Sequence, residues 1–136
     1  MQMLKVMLIE DDSTMVSLLT MLLNLEGYLV RTPTNNRIDS ILKDVLLEQP
    51  HIALVDVNLS QGNGLDLLRE IKQQPSLMAT RIIMFSGLDM QRECIQAGAD
   101  AFIQKPFIPD ELIKLIHISS QHTNSNVLTF NTEKKN

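Results

Sequence analysis

Strand-length apolar runs alternate with helix-period segments five times along this 136-residue chain. Few folds accept that order. The runs cover residues 4–9, 28–31, 52–55, 81–85 and 101–103. The third reads Ile-Ala-Leu-Val, apolar at every position, as a strand covered on both sheet faces requires. Between the runs, apolar residues recur at helical spacing: Met15, Val16, Leu18, Leu19, Leu22 and Leu23, then Ile38, Ile41, Leu42 and Val45, then Leu65, Leu68 and Ile71. A fourth helix is expected over 90–97 and a last one from Asp110 through Leu112, Leu115 and Ile116. Asp12 or Ser13 supplies a cap, while Gly27, Pro50, Pro75 and Gly98 end segments. Such alternation places helices on both faces of a parallel sheet. A closed eight-unit barrel needs roughly 250 residues, so an open, doubly wound sheet is expected. No internal repeat is visible.

The chemistry sits where the runs end. Glu10 and Asp11 follow the first run, Asp56 the third, Ser86 the fourth, and Lys105 lies just past the fifth. Parallel strands bring those ends to one edge of the sheet. Three carboxylates gathered there repel one another unless a cation neutralises them or one is protonated. Mg²⁺ suits oxygen ligands and usually keeps several waters. Asp56 is the candidate nucleophile, since a carboxylate can attack phosphorus and hold it as an acyl phosphate. The Ser86 hydroxyl can donate to one phosphoryl oxygen and the Lys105 ammonium can neutralise another. Each residue also has a plain reading. Asp11 and Asp12 suit a helix N-terminus, although Glu10 lies too early to cap. Asp56 and Ser86 suit turns, and a Lys before Pro suits solvent. The combination on successive strand ends is what is specific.

These residues resemble the receiver domain of bacterial two-component response regulators, over about residues 5–117. The matching pieces are Leu-Ile-Glu-Asp-Asp at 8–12, Leu-Val-Asp at 54–56, Gly64 eight residues beyond Asp56, Met-Phe-Ser-Gly at 84–87, Ala-Gly-Ala-Asp at 97–100 and Lys-Pro-Phe at 105–107. The resemblance implies a flavodoxin-like, doubly wound sheet of five parallel strands in the order 2-1-3-4-5 with five helices. It implies Asp56 as phosphoacceptor, Asp11, Asp56 and the Asn58 carbonyl as Mg²⁺ ligands (Mn²⁺ able to substitute), and Glu10 acting on the ion through water. Ser86 would be the switch hydroxyl, Lys105 the phosphate contact with a cis bond to Pro106, and Phe102 the switch aromatic. Asn58 and Leu88 fall where the family varies to tune dephosphorylation. Phosphorylation would pull Ser86 inward, let Phe102 fill the space, and change the helix 4–strand 5–helix 5 surface. The implied partners are a histidine kinase or phosphotransfer protein, and a downstream protein or effector domain; homodimerisation through that surface is a further family option. Ser60 stands where the family usually has Pro, a change expected to loosen the loop. His51 replaces a frequent Asp, and Phe102 replaces the common Tyr.

Composition narrows the alternatives. Net charge is −4 with no basic stripe, so this segment is a poor nucleic-acid binder. No apolar run approaches the roughly 20 residues of a membrane span, and no signal peptide precedes the first run, so a cytoplasmic location is expected. Lone Cys94 lies in a helical stretch and reads as a small, partly buried apolar residue. An Asp-x-Asp phosphohydrolase would need a second acid at Asn58. A degenerate, unphosphorylated binding module fits poorly with a complete acid, Ser and Lys set. A flavin site would meet repulsion from Glu10, Asp11 and Asp12. Residues 1–120 form the expected receiver unit and 121–136 a polar tail or linker. Val127, Leu128 and Phe130 interrupt that tail. The simplest expectation is an unstructured end; a docking patch or the start of a further domain are the alternatives.

Overall fold

The first apolar run, β1 (Lys5–Ile9), pairs in parallel on both of its sides, with β2 (Leu29–Arg31) and with β3 (Ile52–Asp56). The chain therefore turns one way after β1 and the other way after β2. That reversal opens a crevice beyond the carboxyl ends of β1 and β3. β4 (Arg81–Ser86) pairs with β3, and β5 (Ala101–Gln104) with β4. The five expected strands thus stand in the order 2-1-3-4-5. The computed structural model describes residues 3–121 and, for the backbone alone, 128–130.

Five α-helices occur among the described residues: α1 (Ser13–Leu25), α2 (Ile38–Glu48), α3 (Gly64–Lys72), α4 (Gln91–Gln96) and α5 (Pro109–Gln121). Strand side chains alternate, so each sheet face receives its own core. Met7, Ala53, Val55, Met84 and Phe102 meet α2, α3 and α4 through Ile41, Val45, Leu68, Ile71 and Cys94. Val6, Leu8, Leu54, Phe85 and Ile103 meet α1 and α5 through Leu19, Leu23, Leu112, Leu115 and Ile116. Burying each large aliphatic side chain contributes about 1.5–3 kcal/mol, so both layers are needed to hold the sheet. Asp12 caps α1, its Oδ1 accepting from the N–H groups of Thr14 at 3.0 Å and Met15 at 3.3 Å. At the opposite end of the sheet, His51 Nδ1 accepts from the Lys5 N–H at 2.9 Å.

Three local features differ from the sequence reading. Asn58–Leu59 and Gly62–Asn63 form a small antiparallel ribbon, where the two glycines had suggested a loop. Pro75–Leu77 makes one 3₁₀ turn after α3. A sixth strand, β6 (Leu128–Phe130), lies parallel to β5, with Ala101 opposite Leu128 and Ile103 opposite Phe130. The expected sheet is thereby widened to six strands, and the expectation of an unstructured end fails for this segment. The physical reason is the outer edge of β5, whose amides and carbonyls otherwise lack sheet partners. The rest of the expected tail, 122–127 and 131–136, lies outside the described residues.

Cys94 is wholly buried on α4, and burial, with a smaller contribution from the charge of Glu93, pushes its thiol up to about 12. A thiol reagent at pH 8 is expected to modify the folded chain roughly 100-fold more slowly than the chain in denaturant. Equal labelling rates, read by mass spectrometry, would contradict this burial.

Candidate functional site

The site is assembled from loops that leave four parallel strands. Asp56 pairs in register with Phe85, which sets Ser86 one residue beyond it at the same sheet edge. The Val57 N–H donates to the Phe85 carbonyl at 2.9 Å, and the Lys105 N–H to the Ser86 carbonyl at 2.7 Å. The main chain therefore continues the sheet pattern past Asp56 and links the ends of β4 and β5. The Lys105–Pro106 peptide is cis, as expected.

At the centre stands the Lys105 ammonium. It donates to Glu10 Oε1 at 3.0 Å and to Asp56 Oδ2 at 3.1 Å. Its ammonium also lies 5.0 Å from the centre of the Phe85 ring, which packs edge-on against Phe107. The side chains of Glu10 and Asp56 are only 3% and 6% exposed, so both depend on this cation for compensation. Burial raises the Glu10 pKa and the negative charge of Asp56 adds to the rise; the Asp12 N–H and Lys105 oppose it. For Lys105, burial acts to lower the pKa, but hydrogen bonds and charge from Glu10 and Asp56 reverse the sign and raise it. The lysine therefore stays an ammonium throughout the neutral range.

The other candidates are placed as follows. Glu10 Oε2 accepts from the Asp12 N–H at 3.1 Å. Asp56 Oδ1 accepts from the Asn58 N–H at 3.0 Å, so the loop folds back on the acceptor carboxylate. Asp11 does not cap α1; its Oδ2 accepts from the Ser60 N–H. That contact ties the loop across to β1, where the sequence had suggested loosening. Buried Ser86 accepts from the Leu88 N–H at 3.1 Å through its Oγ, and a hydroxyl that accepts can still donate its own proton. Phe102 is 1% exposed and already part of the core. An inward swing from solvent is therefore not available to this ring from the present state. The Ser60 contact with Asp11 is made by a main-chain donor, which leaves no mark in the amino-acid sequence.

The donor set suits a hard dication. Glu10, Asp11 and Asp56 offer only oxygen, and the single ammonium leaves two negative charges uncompensated. Among the described residues, no three His, Cys, Asp or Glu side chains are gathered closely enough to enclose an ion alone. An ion here would need backbone and water oxygens as well, which is the usual habit of Mg²⁺.

Residues 6–117 match the family model for the response regulator receiver domain. The chain belongs to that family. The chain is 33% identical over 134 residues to the transcriptional regulatory protein KdpE of Staphylococcus aureus, covering 93% of this chain and 56% of that protein. It is 35% identical over 113 residues to a CpxR homologue of Haemophilus influenzae, covering 82% and 48%, and 33% identical to NtrC of Proteus hauseri, covering 86% and 24%. The receiver thus spans about half, or less, of these relatives' length. Among solved structures, the chemotaxis response regulator CheY4 of Vibrio cholerae superposes with a TM-score of 0.79 at 22% identity, covering 87% of this chain and 99% of that one. A receiver domain protein of Methanospirillum hungatei gives 0.78 at 24%, covering 88% and 94%. At such identity these two support the fold alone. Family membership makes the receiver a phosphorylation-dependent signalling module of the two-component kind, not a turnover enzyme for small molecules. The phosphohydrolase alternative is set aside on that ground. Among the described residues, no helix is long and apolar enough to cross a membrane.

Proposed function

We propose that Asp56 accepts a phosphoryl group from the phosphohistidine of a histidine kinase or histidine phosphotransfer protein, in a Mg²⁺-dependent reaction. The observation that carries this reading is the ammonium of Lys105 bonded at once to Glu10 and Asp56. An oxygen of Asp56 attacks phosphorus, the P–N bond breaks, and its electron pair returns to the imidazole nitrogen. Lys105 then turns from the carboxylate to a phosphoryl oxygen, and the Ser86 hydroxyl donates to another. Asp11, Asp56 and the Asn58 carbonyl would hold Mg²⁺, with Glu10 reaching it through water; when bound, the ion supplies positive charge against the phosphoryl oxygens. An apolar groove of about 510 Å³ beside Lys105, lined by Met15, Leu18, Pro106, Phe107 and Pro109, offers a phosphodonor protein a surface next to the acceptor.

Phosphorylation adds roughly −1.5 to −2 charges at Asp56. Ser86 closes on the phosphoryl group, and Phe102 repacks without leaving the core. The surface of α4, β5 and α5 shifts with it, and a downstream protein or effector domain, or a second copy, reads the difference through differential affinity. The working unit is residues 1–120, with 121–136 as a tail whose Leu128–Phe130 segment joins its sheet, acting in the cytoplasm. Acetyl phosphate with Mg²⁺ is expected to add the mass of one phosphoryl group to the chain, and a chelator to prevent it. No gain in the presence of Mg²⁺, or an undiminished gain with chelator, would count against the proposal.

A further inference from the structure

The ring of Phe85 lies one strand away from the acceptor. Phe85 is the register partner of Asp56, and paired residues of neighbouring parallel strands project to the same sheet face. The ring is 1% exposed and meets Phe107 edge-on, with centroids 6.2 Å apart and planes at 81°. Burial and this favoured aromatic geometry fix the ring plane. The Lys105 ammonium stands over the ring, 5.0 Å from its centroid, within the range of cation–π attraction. It thus meets two carboxylates and one ring. The partners differ in one respect. Glu10 and Asp56 both belong to the proposed Mg²⁺ site, so a dication bound there competes with the ammonium for their oxygens and repels it. The ring is uncharged and supplies no oxygen ligand, so it stays available when the carboxylates do not.

We infer that Phe85 is a positioning residue whose ring face keeps the Lys105 ammonium beside Asp56 while a cation occupies the carboxylates. The inference rests on the metal reading proposed above and deepens it. The ammonium ends a flexible four-carbon stem, and the Lys105 side chain is 24% exposed. With its carboxylates claimed, it would otherwise swing to solvent. Held over the ring, it is already next to Asp56 when the phosphoryl group arrives, and a short turn brings it to a phosphoryl oxygen. Phe107 contributes by bracing the ring. An aliphatic side chain at position 85 would still close the pocket wall, so the share of the ring is a matter of rate, not of competence.

Phe85→Leu keeps an apolar wall and removes the ring, while pentafluorophenylalanine at position 85 keeps the ring shape and reverses the charge of its face. By NMR, the wild-type Lys105 ε-methylene protons are expected upfield of the ordinary lysine position, through the ring current of Phe85. They should remain upfield at saturating Mg²⁺ and lose the shift in Phe85→Leu. With acetyl phosphate and saturating Mg²⁺, phosphorylation of Phe85→Leu and of the fluorinated chain is expected to be about fivefold slower than that of wild type. An upfield shift that vanishes on Mg²⁺ addition, or a fluorinated chain as fast as wild type, overturns the inference while leaving the metal reading intact. Absence of any Mg²⁺ response in the wild-type Asp11 and Asp56 signals overturns both, and is seen before any variant is compared. Should Phe85→Leu fail to fold, the rate of the fluorinated chain and the wild-type shift decide.

Discussion

Asp56→Asn is expected to reduce the phosphoryl mass gain to the level of an unreacted control while leaving the chain folded. The side chain is nearly isosteric, and its Oδ1 can still accept from the Asn58 N–H. An amide, however, is not a nucleophile toward phosphorus, and its NH₂ could meet the Lys105 ammonium donor to donor. Stability should change by no more than about 1 kcal/mol, because the lost contact with Lys105 is offset by relief of repulsion with Glu10. That relief carries a sign. The Asp56 charge is one of the causes that raise the Glu10 pKa. A carboxyl raised on folding binds its proton more tightly in the folded chain, so it favours folding at low pH, and that advantage fades as pH rises through the folded value. Removing the Asp56 charge should therefore move the Glu10 titration toward its ordinary range and shrink the part of the low-pH stability that Glu10 supplies. NMR titration of Glu10 in both chains checks this. A retained mass gain in Asp56→Asn would mean that another group takes the phosphoryl.

Gly64→Ala is expected to cost about 3 kcal/mol, through overpacking against a backbone that cannot yield. The new methyl group would lie 2.1 Å from the Asp56 carbonyl oxygen and 2.8 Å from the Val57 Cα. Neither atom is a flexible side-chain end. The Gly64 N–H also donates to the Val57 carbonyl at 2.7 Å, so retreat of α3 breaks a bond that fixes the loop after Asp56. Gly62→Ala is the internal comparison, because its methyl would meet the Ile38 side chain, which can rotate away. A cost nearer 1 kcal/mol is expected there. Denaturant midpoints for the two variants should differ accordingly; equal midpoints would remove the argument from close approach. Phosphorylation of Gly64→Ala should also slow, since the displaced main chain carries the acceptor.

The sheet was legible because β3 is apolar at all four positions before Asp56, and because α1 and α2 have capping or breaking residues at their ends. The acid, Ser and Lys positions were legible for a related reason: in a parallel sheet, the last residue of each strand has a predictable place. The ribbon was not legible, since strands of two residues carry no alternation, and Gly62 and Gly64 read as flexibility until the atoms opposite them are known. Leu128 and Phe130 stand out in the polar tail, but a strand of three residues is too short for its alternation to reveal its pairing with β5. The buried state of Phe102 is a packing outcome that its sequence position leaves open, and the bond from Ser60 to Asp11 is made by a backbone donor that every residue except proline possesses.

The arrangement at the far side of the sheet has its own bearing on the switch. β6 occupies the rim of β5, so the main chain there is already matched strand to strand. A visitor approaching that flank meets the outer edge of β6 instead of β5, so any strand added there extends the sheet on a three-residue splint that the same polypeptide carries. To reach β5 itself, it must first peel that splint away.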